Sequence, residues 1–156
     1  MELSTHPQLR DLLRVIPIGQ TQEHEGLTLT PLALEVYTDG CLLTVLLQRA
    51  QSVSLPLGRF ARIKQVDVTM TDDRGGVYMG QMHGHSGSSL PGFWQGRSQC
   101  ACTPTLDPES RALHIEIPSV HWDYMEETEQ GDLGRIPGEI TNGPWIFFIQ
   151  LPAVRT

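Results

Sequence analysis

Leu32-Ala33-Leu34-Glu35-Val36-Tyr37-Thr38-Asp39-Gly40-Cys41-Leu42-Leu43-Thr44-Val45-Leu46-Leu47 decides the fold class. Asp39-Gly40 sits between two apolar runs, and this dipeptide favours a two-residue type I′ turn, in which both central positions have positive φ. Such a turn pairs Val36 with Leu43, Leu34 with Val45 and Leu32 with Leu47. One face of the hairpin is then wholly aliphatic, while Glu35 and Thr44 meet on the other. The aliphatic face is core. Pro31 cannot donate to a ladder, and the alternation changes phase across it, from Leu27 and Leu29 to Leu32 and Leu34, so a bulge or an edge position is expected there.

The same writing continues on both sides. Ile63 to Thr71 and Val77 to Met82 read as a second hairpin through Asp72-Asp73-Arg74-Gly75-Gly76, with Val66, Val68 and Met70 inward and Asp67, Thr69 and Thr71 outward. Trp94 to Thr103 and Leu113 to Ile117 are further strands, and Trp145 to Leu151, apolar on both faces, reads as a central last strand. Gly84 to Gly92, rich in Gly and Ser, is expected to be a mobile exposed loop. Asp123 to Gly143 is long for a structureless connection and is either functional or an unrecognised strand. Upstream, Thr5-His6-Pro7-Gln8 has capping-box spacing, and Leu9, Leu12 and Leu13 fall on one face of a two-turn helix. Residues 1–156 therefore read as one all-β domain, an antiparallel two-sheet sandwich with a short N-terminal helix and lead-in over residues 1–14.

Composition narrows the function. The chain carries 11 basic and 18 acidic residues, for a net charge of −7, which argues against binding to phosphate backbones and hence against nucleic acid. The apolar runs from Cys41 to Leu47 and from Trp145 to Ile149 fall far short of the roughly 20 residues of a membrane span. The start Met1-Glu2-Leu3-Ser4-Thr5 has no secretory pattern and the 3 cysteines are an odd number, so a cytoplasmic location with free thiols is expected.

Three stretches resemble uncharacterised bacterial immunoglobulin-like domains, including those of anti-sigma-factor-like proteins. They are Leu34-Glu35-Val36-Tyr37-Thr38-Asp39-Gly40 leading into Leu42-Leu43-Thr44-Val45, Val68-Thr69-Met70-Thr71-Asp72-Asp73 before Gly75-Gly76, and Asn142-Gly143-Pro144-Trp145-Ile146-Phe147-Phe148. The resemblance implies an immunoglobulin-like sandwich that binds or transmits rather than catalyses.

Among residues that could carry chemistry, His83 and His85 lie two apart on an extended segment, so both would point to one side and reach one zinc or copper ion. His121, Asp123 and His114 are the first candidates for a third ligand. Cys100 and Cys102 are expected to lie apart from them, because pairing across a Gly84 to Gly92 loop puts Cys100 opposite Val77, roughly 20 Å from His83. They read as small packed side chains. Asp123, Glu126, Glu127, Glu129 and Asp132 lack calcium-loop spacing and read as a solvated acidic loop. Gly84-His85-Ser86-Gly87-Ser88 is not a nucleophile elbow, and no phosphate-binding glycine loop is present. Phe93-Trp94 and Trp122 with Tyr124 flank the two least regular segments and could frame a pocket or partner surface. The favoured expectation is a non-enzymatic module, without a cofactor, that binds a protein partner or itself through a strand edge or loop surface. The alternative is a metal- or small-molecule-binding protein, possibly an enzyme, centred on His83 and His85.

Overall fold

The computed structural model describes residues 8–50, 59–90, 92–127 and 133–153. Among the described residues, nine strands form one antiparallel sheet: β1 (Leu12–Pro17), β2 (Gln22–His24), β3 (Leu27–Tyr37), β4 (Cys41–Ala50), β5 (Arg59–Asp72), β6 (Val77–Leu90), β7 (Phe93–Thr103), β8 (Ala112–Glu127) and β9 (Leu133–Gln150). The order across the sheet is β1-β3-β4-β7-β6-β5-β8-β9, with β2 added to β3. The sheet curls into a half-barrel. Its concave face holds a single core in which Leu27, Leu29, Leu34, Leu43, Leu47, Ile63, Met70, Leu113, Trp94, Trp122, Trp145 and Phe147 are buried.

The two-sheet sandwich is therefore overturned, and strand length is the physical reason. β5 and β6 have 14 residues each, β8 has 16 and β9 has 18. At about 3.3 Å per residue the longest spans roughly 60 Å, too long to stay flat against a partner sheet. The strands bend instead. Register shifts occur at Pro31/Ala33 in β3, Met82/Gly84 in β6, Ile63/Gln65 and Val66/Thr69 in β5, and Ile117/Ser119 and His121/Asp123 in β8. Each bulge sharpens the local bend and lets one sheet wrap its own apolar face.

The sheet's two edges come within side-chain reach of one another. Arg14 Nη1 donates to Pro152 O (3.3 Å) and Gln20 Nε2 to Phe148 O (2.6 Å), while Gln22 Oε1 accepts from Ile146 N (2.7 Å) and Glu25 Oε2 from Asn142 N (2.9 Å). The partners run in antiparallel order, so side chains replace a backbone ladder along this seam. Trp145 Nε1 donates to Leu27 O (3.1 Å), and its ring meets His24 edge to face (5.7 Å). The last strand is thus the end of the sheet's path, not its centre. Its apolar faces are accounted for by the concave core, which takes Trp145, Phe147 and Ile149, and by Phe148 on the outside.

Other expectations change for identifiable reasons. No helix occurs among the described residues: Leu9 and Asp11 have φ of 53° and 55°, outside the right-handed helical region, and Leu12 and Leu13 belong to β1. Thr5, His6 and Pro7 lie outside the described residues. The β3–β4 hairpin pairs Val36 with Cys41 and Leu34 with Leu43, two residues away from the predicted register, and Leu29 with Leu47, three residues away beyond the bulge at Pro31. Neither Asp39 nor Gly40 has positive φ. The Asp39 carboxylate accepts from the amides of Gln8 (2.8 Å) and Arg10 (2.9 Å), and Thr105 donates to Tyr37 O, so distant groups shape the turn. The bulge at Pro31 is where the phase change places it. Gly84 to Leu90 is strand, not loop, and pairs with β7 as far as Leu90 opposite Phe93. Within 123–143, β8 continues to Glu127 and β9 begins at Leu133.

The β5–β6 hairpin follows the sequence more closely, with Val66, Val68 and Met70 buried and Thr71 opposite Val77. Asp72 clamps its turn. Its Oδ2 accepts from Tyr78 and Ser110 hydroxyls (both 2.6 Å), and its Oδ1 accepts from the amides of Gly76 (2.6 Å) and Arg74 (2.9 Å). Burial alone would raise this carboxyl, but the donors from Ser110, Tyr78, Gly76 and Arg74 outweigh it and hold it at about 2. A depressed carboxylate stabilises the fold above its unfolded value near 4, and that contribution is lost as pH falls through 2. Asp72→Asn should cost about 1–2 kcal/mol at pH 7, a figure discounted for partial exposure, and the gap from the parent should narrow between pH 4 and pH 2. Urea unfolding across that range checks this; a gap of constant size would refute it.

Candidate functional site

β5 and β6 are laddered only from Asp67 opposite Gln81 to Thr71 opposite Val77. Beyond the bulges they part. The lower half of β5 stays with β8, pairing Ile63 with Trp122 and Ala61 with Tyr124, whereas the lower half of β6 stays with β7, pairing Ser86 with Arg97 and Gly87 with Gly96. Among the described residues no ladder joins the two halves. The sheet is therefore forked, with one strand edge on each side of the opening. Arg62 Nε bridges it, donating to His85 Nε2 (3.1 Å).

Two shallow depressions meet at His85 and Ser86. One, about 190 Å³, lies in the fork and is lined by Ala61, Arg62, Ile63, His85, Ser86, Gly87 and Trp94. The other, about 230 Å³, continues over β6 and is lined by Thr44, His85, Ser86, Arg97 and Gln99. Each is smaller than the ~300 Å³ at which small-molecule pockets begin.

The floor of the fork is aromatic. Trp94 is 1% exposed and packs edge to face against Trp122, with ring centroids 4.8 Å apart. The fit depends on Gly87 and Gly96, since a Cβ at Gly87 would lie 2.6 Å from Trp94 Cζ2 and one at Gly96 would lie 2.6 Å from Ser86 O. Arg49 lies over the Trp122 ring (4.9 Å) and donates to Glu139 Oε1 (2.7 Å), and Trp122 Nε1 donates to Thr141 Oγ1 (2.9 Å). Arg49 Nη1 is buried without a hydrogen-bond partner. Burial and the neighbouring Glu139 carboxylate push the Tyr124 hydroxyl above its ordinary range. The structure thus gathers Trp94, Trp122 and Tyr124 at one end of the concave face, and Phe93 stands at the rim, 39% exposed. Arg49, Arg62, Arg97 and Glu139 complete the arrangement. Only the alternation running on past Leu47 pointed to Arg49, and nothing local marked the other three.

The histidines form no such group. His83 is the bulged residue between Met82 and Gly84, which breaks the alternation that would align it with His85. The lone pair of His85 Nε2 is engaged by Arg62, and burial together with that guanidinium lowers the His85 pKa. A cation beside a guanidinium is disfavoured. His121 contacts Ser119 Oγ (3.2 Å), His114 stacks on Phe148 (4.7 Å) at the far end of the sheet, and Asp123 is buried opposite Arg62. Among the described residues, no group of three His, Cys, Asp or Glu side chains is placed to hold a metal ion. Glu129 and Asp132 of the acidic stretch lie outside the described residues.

Cys100 is opposite Met82, next to His83 along the ladder rather than some 20 Å away, because Gly84 to Leu90 is strand. It nevertheless faces the core. Cys41, Cys100 and Cys102 are all buried free thiols, with Cys41 directly opposite Cys102. Burial pushes Cys41 and Cys100 up to about 11, and Cys102 higher still.

On the outer face, the register sets Val77, Thr71, His114 and Phe148 in one row and Met79, Thr69, Glu116 and Ile146 in the next. Phe148 is 70% and Met79 63% exposed. No helix of the described residues is long and apolar enough to cross a membrane.

Gly87→Ala should wedge Trp94 off Trp122, costing about 1–3 kcal/mol. Loss of the near-ultraviolet circular dichroism of the tryptophan pair, alongside a lower melting temperature, checks this; an unchanged spectrum would refute it. The three thiols should stay silent to a water-soluble disulfide reagent at pH 8 until the chain unfolds. Because their pKa values are raised on folding, stability should fall as pH rises from 9 through 11; thiol titration with and without urea, repeated along a pH series, tests both. No protein-family model matches the chain, and no curated protein is similar to it.

Proposed function

We propose that this protein is a non-enzymatic interaction module that receives an extended segment of a protein partner by strand addition in the fork between β5 and β6. The observation that carries this reading is the divergence of the two strands below Asp67 and Gln81, each still laddered on its other side. A strand edge offers a row of main-chain donors and acceptors, and an incoming extended chain satisfies them with a matching row of its own. Two edges facing one opening supply both sides of such a strand. The Trp94 and Ile63 side chains beneath it give an apolar floor, on which alternate side chains of the segment would rest. The exposed Val77, Met79 and Phe148 rows on the outer face add apolar surface of the kind that meets other proteins.

The metal or small-molecule alternative has less support, since His85 is engaged by Arg62 and the depressions are small.

Amide hydrogen exchange on the intact chain tests strand addition. Without ligand, amides within 61–65 and 84–88 should exchange at least about tenfold faster than those within 67–71 and 77–81, because main-chain pairing controls protection. An octapeptide alternating Thr with Glu should slow exchange in both stretches. The same peptide N-methylated at alternate amides should slow neither. Protection elsewhere, or none with either peptide, would overturn the reading.

A further inference from the structure

The chain as a whole is acidic, at −7, yet the described lining of the fork is not. The residues lining the two depressions that meet at His85 and Ser86 include Arg62 and Arg97, and none of those described there carries a carboxylate. Lys64 is exposed on the same strand as Arg62. The remaining polar lining, Thr44, Ser86 and Gln99, consists of hydroxyl and amide groups that donate as well as accept. Two acids lie close by in sequence and register. Asp67 accepts from Gln65 Nε2 with both oxygens (2.9 Å each), and Asp123, opposite Arg62 across the β5–β8 ladder, is buried.

Among the described residues that line the fork, none sets a carboxylate against Arg62: the partner it shows there is a ring nitrogen of His85, at 3.1 Å. A guanidinium that spends a donor on imidazole gains more from a carboxylate, which it can hold with two parallel hydrogen bonds. Arg97 stands on β7 opposite Ser86, so an added strand would have Arg62 beside it on β5 and Arg97 across β6, two strand spacings or roughly 9.6 Å away. Side chains of an extended segment alternate between its faces, about 6.6 Å apart on one face. Carboxylates at alternate positions therefore rise toward the rim while their neighbours rest on the floor.

We infer that the fork selects extended segments carrying acidic residues at alternate positions, with Arg62 and Arg97 receiving their carboxylates. This inference rests on the strand-addition reading and names the partner chemistry of that same site. On entry of the segment, Arg62 leaves His85 for a carboxylate, and the bridge across the opening is exchanged for a bond to the occupant.

Three fluorescent octapeptides alternating Thr with Glu, Gln or Lys, titrated against the intact protein and followed by anisotropy, test this. The Glu peptide should bind at least about tenfold more tightly than the Gln peptide, and the Lys peptide more weakly than either. The preference should shrink as salt is raised. Arg62→Gln combined with Arg97→Gln should bring the Glu and Gln peptides to within about twofold of one another while the Gln peptide still binds and the melting temperature shows a folded chain, a readout that misfolding would not give. Equal binding of Glu and Gln peptides to the parent would overturn the inference and leave strand addition standing. Binding of none of the three would overturn both. A single-stranded oligothymidylate that competes with the Glu peptide would also overturn it, by assigning the cations to phosphate.

Discussion

A lone β-sheet has two faces and no second layer to cover either, so this chain can hide its apolar residues only by rolling one face onto itself. The seam between the sheet's edges is where that rolling meets itself. Arg14, Gln20, Gln22 and Glu25 reach main-chain groups of β9 or just beyond it, and Trp145 reaches back to Leu27. Side-chain amides and carboxylates span a gap that backbone pairing would close only by bringing the strands nearer. Four main-chain groups on the β9 side are satisfied in this way, and the curvature is left to the core to set. Each such bond contributes about 1 kcal/mol, so the roll is held mainly by the burial of the concave face and steered by the seam.

The bulges that bend the sheet also determine where it opens. A strand that takes an extra residue changes direction, and neighbours that bend by different amounts separate. β5 and β6 do so below Asp67 and Gln81, and the space that results is floored by Trp94. The upper end cannot follow, because Asp72 ties the turn to Tyr78, Ser110 and two backbone amides. One hairpin is thus rigid at its turn and divided at its base. That gives an opening with a fixed position and edges that remain available.

Much of this was legible in the sequence, and the boundary of legibility is physical. Alternation identified the strands and the inward set Val66, Val68 and Met70, and Pro31 marked a bulge, because these are consequences of a two-residue period and a missing N–H. The number of sheets was not legible. Gly84, Pro118 and Gly143-Pro144 read as strand ends, whereas in one long strand the same residues are points of bending, and only the neighbouring strands decide between the two. The β3–β4 register was missed because Asp39 is held by Gln8 and Arg10, about thirty residues away. At the site, Trp94, Trp122 and Tyr124 stood out as large aromatics beside irregular segments. Arg62, Arg49 and Glu139 are ordinary surface-type residues until the fold brings them beside those rings, as is Arg97 until it lines the adjoining depression, and the histidine pair lost its alignment to a bulge that no local pattern announced.

The seam gives the molecule a mechanical character. Its bonds run in antiparallel order from Arg14 with Pro152 to Glu25 with Asn142, so the first contact lies closest along the chain to both ends of the described core. Tension applied through the two ends meets these contacts singly and in sequence, as a zip fastener is drawn, rather than as a row sheared together. The half-barrel would therefore open along this seam one side-chain contact at a time, toward a flatter ribbon.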